Sequence, residues 1–133
     1  IGAVNNIDQA FRKYLGAGKP GDIKSLWADL PQIVTWIREA GGTAVLAHPK
    51  KYKLTSTKLK NLLDDFIIAG GQAIEVISGN QNPEITQDLA SLCLEKNLLA
   101  SCGSDFHRPG EAWAELGHIS RLPSSCKPVW NNW

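Results

Sequence analysis

Methionine is absent from this 133-residue chain, and cysteine and histidine each occur only three times. A chain that opens at Ile1 and holds no Met reads as a piece of something longer. The three cysteines, Cys93, Cys102 and Cys126, are odd in number and form no CxxC pair. That pattern argues against a disulfide scaffold or a zinc knuckle and predicts reduced thiols in a cytoplasmic protein. No apolar run approaches the roughly 20 residues of a membrane helix, and no signal-peptide pattern opens the chain, so no membrane partner is expected. A charge excess is also missing: 14 basic against 13 acidic side chains leave +1. Global charge therefore points neither toward nor away from nucleic acid, and any basic preference must be local.

What is present suits one modest soluble domain. Hydrophobic residues make up 43% and charged residues 20%, enough apolar material for a real core without disorder. Ile7, Ala10, Phe11, Tyr14 and Leu15 recur at helical spacing over 6–15, and 18–24 (GKPGDIK) reads as a linker. A second helix starts near Leu30, with Asp29 as cap, Pro31 in its first turn and Gly41-Gly42 as its stop.

From there strands and helices alternate. TAVLA (43–47), QAIEVI (72–77) and LLASC (98–102) read as buried strands, and 116–119 as a possible fourth. Helices are expected over 56–69 and, opened by Asn82, over 83–96. Such alternation predicts an α/β fold with three to four mostly parallel strands and flanking helices. Closing a barrel takes about eight strands and roughly 250 residues, so the sheet is either small and open or a slice of a barrel.

The candidate chemistry falls at strand ends. His48 follows TAVLA and precedes Pro49, which biases it toward extended backbone and ends the pairing. An imidazole is thus expected at the C-terminal edge of a parallel strand, where α/β folds place their sites. Taken alone, His48 reads equally well as a histidine that merely packs there. Asp105 and His107 follow LLASC, and residues two apart in an extended segment point the same way. Imidazoles plus a carboxylate suit a hydrolytic Zn, Mn or Fe site, while the bland alternative makes Asp105 a cap. His118 reads as structural or surface, and Glu75, inside an apolar run, as a carboxylate paired with a lysine or facing the site. Among the lysines at 50, 51, 53, 58 and 60, Lys50 and Lys51 adjoin His48 and are placed to attract a phosphate. Arg108, after His107, can offer a bidentate fork to the same group.

AGGTAVLAHPKKY, GGQAIEVISG and SCGSDFHRPGEAWAELG together resemble the PHP (polymerase and histidinol phosphatase) superfamily, nearest its TrpH-like branch of phosphoesterases and 5′-3′ exoribonucleases. The resemblance covers essentially the whole chain. It implies the C-terminal part of a distorted (β/α)7 barrel over residues 28–133, with 1–27 the tail of a helical insertion. It also implies two or three divalent ions, Mn, Zn or Fe, and hydrolysis of phosphate esters by metal-bound hydroxide. Substrates would be phosphorylated nucleotides, oligonucleotides or RNA ends; histidinol phosphate, or a non-catalytic assembly role, are the alternatives. His48 matches the family's late histidine ligand, and Asp105 and His107 its final Asp-x-His pair, while Lys51 and Arg108 are the expected phosphate contacts. The family's opening His-x-His motif and early acidic ligands have no counterpart here, so most of the metal site would lie in a missing N-terminal half. The chain alone is therefore expected to be inactive.

Overall fold

Each strand of this chain except the last is followed by a helix that carries it back to the same end of the sheet, which forces parallel pairing. The computed structural model describes residues 2–16, 18–22, 27–110 and 114–132. Strands β1 (Val45–Leu46), β2 (Ala73–Ser78) and β3 (Leu99–Gly103) form one parallel sheet in the order β1-β2-β3. Val45 stands opposite Ala73, and Ala73 opposite Leu99. In central β2 every residue except Glu75 is buried, as expected of a strand covered on both faces. The register with β3 slips between Glu75 and Ile77, a bulge that bends β2 just before its C-terminal end.

The helices start where their caps dictate. Helix α1 (Ile7–Ala10) continues as a π-helical turn over Phe11–Leu15. Helix α2 (Leu30–Glu39) opens with Asp29 accepting from the Gln32 N–H at 2.9 Å, and Gly41 at φ 78° ends it. Thr55 caps α3 (Ser56–Ile68), and Asn82 caps α4 (Pro83–Glu95). The core joins Leu63 and Phe66 of α3 to Ile74 and Ile77 of β2 and to Leu89 and Cys93 of α4. All three cysteines are free, and burial, reinforced by neighbouring Cys126, pushes the Cys93 thiol up to about 12. Such a thiol stays protonated and inert near neutral pH. Among the described residues no helix is long and apolar enough to cross a membrane.

Three sequence expectations need correction. The 43–47 run pairs only at Val45 and Leu46, because the Gln72 and Ala73 N–H groups both converge on the Ala44 carbonyl at 3.1 Å. The segment 116–119 is not a strand; Gly117, at φ 77°, takes it through a turn. The free side of β3 is met instead by Pro128, in a parallel bridge to Ala100, whose N–H donates to the Lys127 carbonyl at 2.8 Å. Finally, the helical spacing over 6–15 does not give one α-helix: the α-helix covers Ile7–Ala10, a π-helical turn follows, and Ile7, Phe11, Tyr14 and Leu15 are all exposed. The linker read over 18–24 and the boundary near residue 27 run into residues 23–26, which lie outside the described residues, as do 111–113 of the GEAWAELG stretch.

Candidate metal centre

Strained backbone marks the place. Among the described residues four non-glycine positions have positive φ: His48 (29°), Lys53 (54°), Asn97 (51°) and Asp105 (57°). Asn97 ends α4, an ordinary use of the left-handed conformation. The other three sit on the loops that leave the C-terminal ends of β1 and β3. Each such residue costs roughly 1–3 kcal/mol and persists only where its surroundings over-determine it, typically at a site.

His48 departs from the extended geometry that Pro49 favours, with φ 29° and ψ 56°. Its backbone N–H donates to Glu75 Oε2 at 2.6 Å, and its carbonyl accepts from the Lys51 N–H at 2.9 Å, closing a 3-10 turn over Pro49–Tyr52. A charge-assisted hydrogen bond plus turn closure outweighs the pre-proline bias. The ring stands edge-on to Tyr52, centroids 5.8 Å apart, while the Tyr52 hydroxyl donates to the Ala47 carbonyl at 2.7 Å. His48 Nδ1 is buried and has no hydrogen-bond partner.

Asp105 reaches the same edge by a different route from the one the alternation rule suggests. Strand β3 stops at Gly103, and Asp105 turns left-handed instead of continuing it. Its carboxylate is ion-paired with the Lys51 ammonium, so the loop after β1 is tied to the loop after β3. That hydrogen bond holds the Asp105 carboxyl below the usual carboxylate range; burial opposes the effect, and the charges of Lys51, His107 and His48 add to it. The lowered carboxyl contributes stability that is present above the unfolded value of about 3.9 and lost as pH falls through the folded one. In metal-free protein, a carbon-detected NMR titration of Asp105 is expected to end below its neighbours, and Lys51→Met to return it toward the ordinary range. An Asp105 titration indifferent to Lys51→Met would contradict the pairing.

His107 is exposed, with Nδ1 2.7 Å from the Asp105 carbonyl oxygen. As an N–H···O bond this contact fixes the tautomer and leaves the Nε2 lone pair for a ligand, the usual arrangement of a metal-binding imidazole. Lys50 is paired with Asp88 at 3.1 Å, and Arg108 lies 3.8 Å from Asp8 of α1. His118 is exposed on the turn after Glu115, away from any strand.

Glu75 is the residue that sequence reasoning undervalued. Of its two readings, a lysine pair or a side chain facing the site, the geometry follows the second: its Oε2 anchors the His48 backbone, and its Oε1 lies 3.1 Å from where a side chain on Gly103 would begin. Its charge also helps push the Tyr52 and Cys102 groups up, second to burial. One carboxylate thus underlies both loops. The signal in the sequence is an acid in the middle of the otherwise apolar AIEVI run.

The donor chemistry fits a cation in part. An orphaned buried imidazole nitrogen, a second imidazole with a fixed tautomer and a carboxylate held in its charged form are the groups a divalent ion takes. Among the described residues, however, no cluster of three or more His, Cys, Asp or Glu side chains is arranged to hold an ion by itself.

Comparison with known proteins gives this edge its context. No family model matches the chain. It is 46% identical over 129 residues to a 3′,5′-nucleoside bisphosphate phosphatase of Chromobacterium violaceum, covering 97% of this chain and 45% of that protein. It is 42% identical over 130 residues to a 5′-3′ exoribonuclease of Haemophilus influenzae, covering 98% and 47% respectively. Among solved structures, an amidohydrolase from C. violaceum, with bound sulfate and no metal, superposes with TM-score 0.81 at 45% identity over 98% of this chain and 45% of that one. A protein of Bifidobacterium adolescentis described as a metal-dependent phosphoesterase superposes with TM-score 0.63 at 25% identity, over 89% and 41%. The chain spans about half the length of the curated relatives it matches. The names of these relatives fit the PHP resemblance carried by the AHP and GSDFH motifs, and the chain is similar to part of each.

Proposed function

We propose that the full-length protein hydrolyses phosphate esters of nucleotides, oligonucleotides or 5′-phosphorylated RNA, using divalent ions held in part by His48, Asp105 and His107. The observation that carries this reading is the Lys51–Asp105 tie, which joins the two motif-bearing loops at one strand edge. The names of the relatives, a bisphosphate phosphatase and an exoribonuclease, support the substrate class. On this reading the three-stranded sheet is part of a distorted (β/α)7 barrel, residues 1–27 end a helical insertion, and the remaining ligands come from the rest of that domain. Mn, Zn or Fe would suit the mixed nitrogen and oxygen donors, and the protein would be cytoplasmic. Such ions supply Lewis acidity, lowering the pKa of water and offsetting charge on phosphoryl oxygens.

The chain's own residues then have distinct tasks. Glu75 holds the His48 turn, the Asp105 carbonyl sets the His107 tautomer, and Lys51 keeps the Asp105 carboxylate ionised. Lys51 and Arg108 are proposed to bind substrate phosphate, Lys51 leaving the Asp105 carboxylate for it and Arg108 the exposed Asp8 carboxylate. Contacts to charged groups are worth about 1.5–3 kcal/mol, so Arg108→Ala or Lys51→Ala should lower kcat/KM roughly tenfold to a hundredfold. For Arg108→Ala the loss should fall in KM, with metal content constant.

The test of the function is direct. Full-length protein with Mn should hydrolyse a 5′-phosphorylated oligonucleotide or a nucleoside 3′,5′-bisphosphate in preference to histidinol phosphate. Turnover of histidinol phosphate alone would move the substrate class, and no turnover of any phosphate ester would favour an assembly role. The isolated 133-residue chain should be inactive even with Mn, since its described residues supply no complete ligand cluster.

A further inference from the structure

Beside the candidate metal edge lies a cavity of about 170 Å³ that shares His48 and Lys51 with that edge and extends to α4. Its apolar lining is Ile85 and Leu89 of α4, and Ser78, the last residue of β2, also borders it. Ser78 is 8% exposed, and its Oγ is buried without a hydrogen-bond partner. Leaving such a group unpaired costs free energy, and an orphaned hydroxyl on a residue that borders a cavity is one that a ligand atom or a water can complete. The loop that frames it is rigid: Gln81 Nε2 donates to the Val76 carbonyl at 2.5 Å and to Thr86 Oγ1 at 2.8 Å. The mouth is shared with His48 and Lys51, so whatever enters adjoins the proposed phosphate position.

Size and lining select the occupant. Cavities of about 150 Å³ lined by aliphatic side chains admit one benzene-sized ring, whereas whole drug-sized ligands need roughly 300 Å³ or more. A second phosphate is a poor match for the aliphatic side formed by Ile85 and Leu89, and Lys50 already faces the Asp88 carboxylate. A flat heteroaromatic ring with a polar edge satisfies both features: its faces meet Ile85 and Leu89, and its edge meets the Ser78 hydroxyl. We propose that this cavity receives the nucleobase of the substrate whose phosphate lies at the His48–Asp105 edge. The assignment rests on the phosphoesterase reading for its orientation, but base binding itself does not.

The full-length protein tests it in two arms. In the first, KM is measured for a nucleoside 5′-phosphate substrate and for ribose 5-phosphate, which lacks the base. Ile85 is half-buried where α4 borders the cavity, and Ile85→Trp should occupy the space proposed for the ring. It should raise KM for the nucleotide at least about tenfold, by excluding the ring from apolar burial. KM for ribose 5-phosphate and bound metal should not change. Ser78→Ala should raise the nucleotide KM roughly twofold to tenfold, the range of one neutral hydrogen bond. Equal losses on both substrates, or none on either, would overturn the assignment. In the second arm, saturation-transfer NMR with uridine and adenosine, without phosphate or metal, should show ring protons in contact with wild-type protein and not with Ile85→Trp. This arm decides the matter even for a protein that hydrolyses nothing: absence of nucleoside contact in the wild type overturns the proposal.

Discussion

Full-length protein carrying Asp105→Asn is expected to lose most of its bound divalent metal and at least about a hundredfold in kcat/KM. The amide keeps the shape of the carboxylate and removes its charge, which Lys51, His107 and His48 all act to preserve in the native protein. Changes in residues that only support metal ligands already cost about 10–100-fold in affinity or activity, so a ligand itself should cost more. His107→Ala should behave alike, because the Nε2 lone pair goes with the ring. Elemental analysis after gel filtration reads the metal, steady-state kinetics reads the activity, and circular dichroism checks that the fold survives. Normal metal content and normal turnover in Asp105→Asn would remove it from the ligand set.

The second large effect concerns the reversal between α3 and β2. Gly71 crosses directly over the buried Phe66 ring, and a Cβ there would lie inside that ring's contact distance. Phe66→Ala should therefore cost about 3–5 kcal/mol as a cavity, a large part of the 5–15 kcal/mol typical of a whole domain. Gly71→Ala should cost roughly 1–3 kcal/mol by overpacking. The double variant is the informative one: with the ring gone the new methyl has room, so the two losses should fall short of additive by about 1 kcal/mol or more. Urea denaturation of the full-length protein and its three variants measures this. Strict additivity would mean that the close approach of Gly71 to Phe66 is not part of the native packing.

The helix starts and the alternation of strands with helices were legible in the sequence because they depend on local chemistry. Asp29, Pro31 and Asn82 set helix ends through contacts within four residues, and alternating apolar runs need no knowledge of distant partners. The two loops at the site were not legible in the same way. The pre-proline rule argued for an extended His48, but Glu75, 27 residues away, captures its N–H and turns it left-handed. The alternation rule argued that Asp105 and His107 project together from a strand; they come together instead through a turn and a contact from Nδ1 to the Asp105 carbonyl. In both cases a long-range or turn-specific bond overrode a local preference, and both fall where function is proposed. Ser78 escaped notice for another reason, since an unsatisfied hydroxyl is visible only when its surroundings are known.

The central claim is that His48, Asp105 and His107 contribute ligands to one metal site at the C-terminal edge of the sheet. Crystals of the full-length protein grown with Mn, with anomalous difference maps collected at its absorption edge, measure this most directly. The expected map has a peak within about 2.0–2.2 Å of an imidazole nitrogen from His48 or His107 and an oxygen of Asp105, with Lys51 displaced from the carboxylate. Metal bound entirely by other residues, with the Lys51–Asp105 pair intact beside it, would contradict the account.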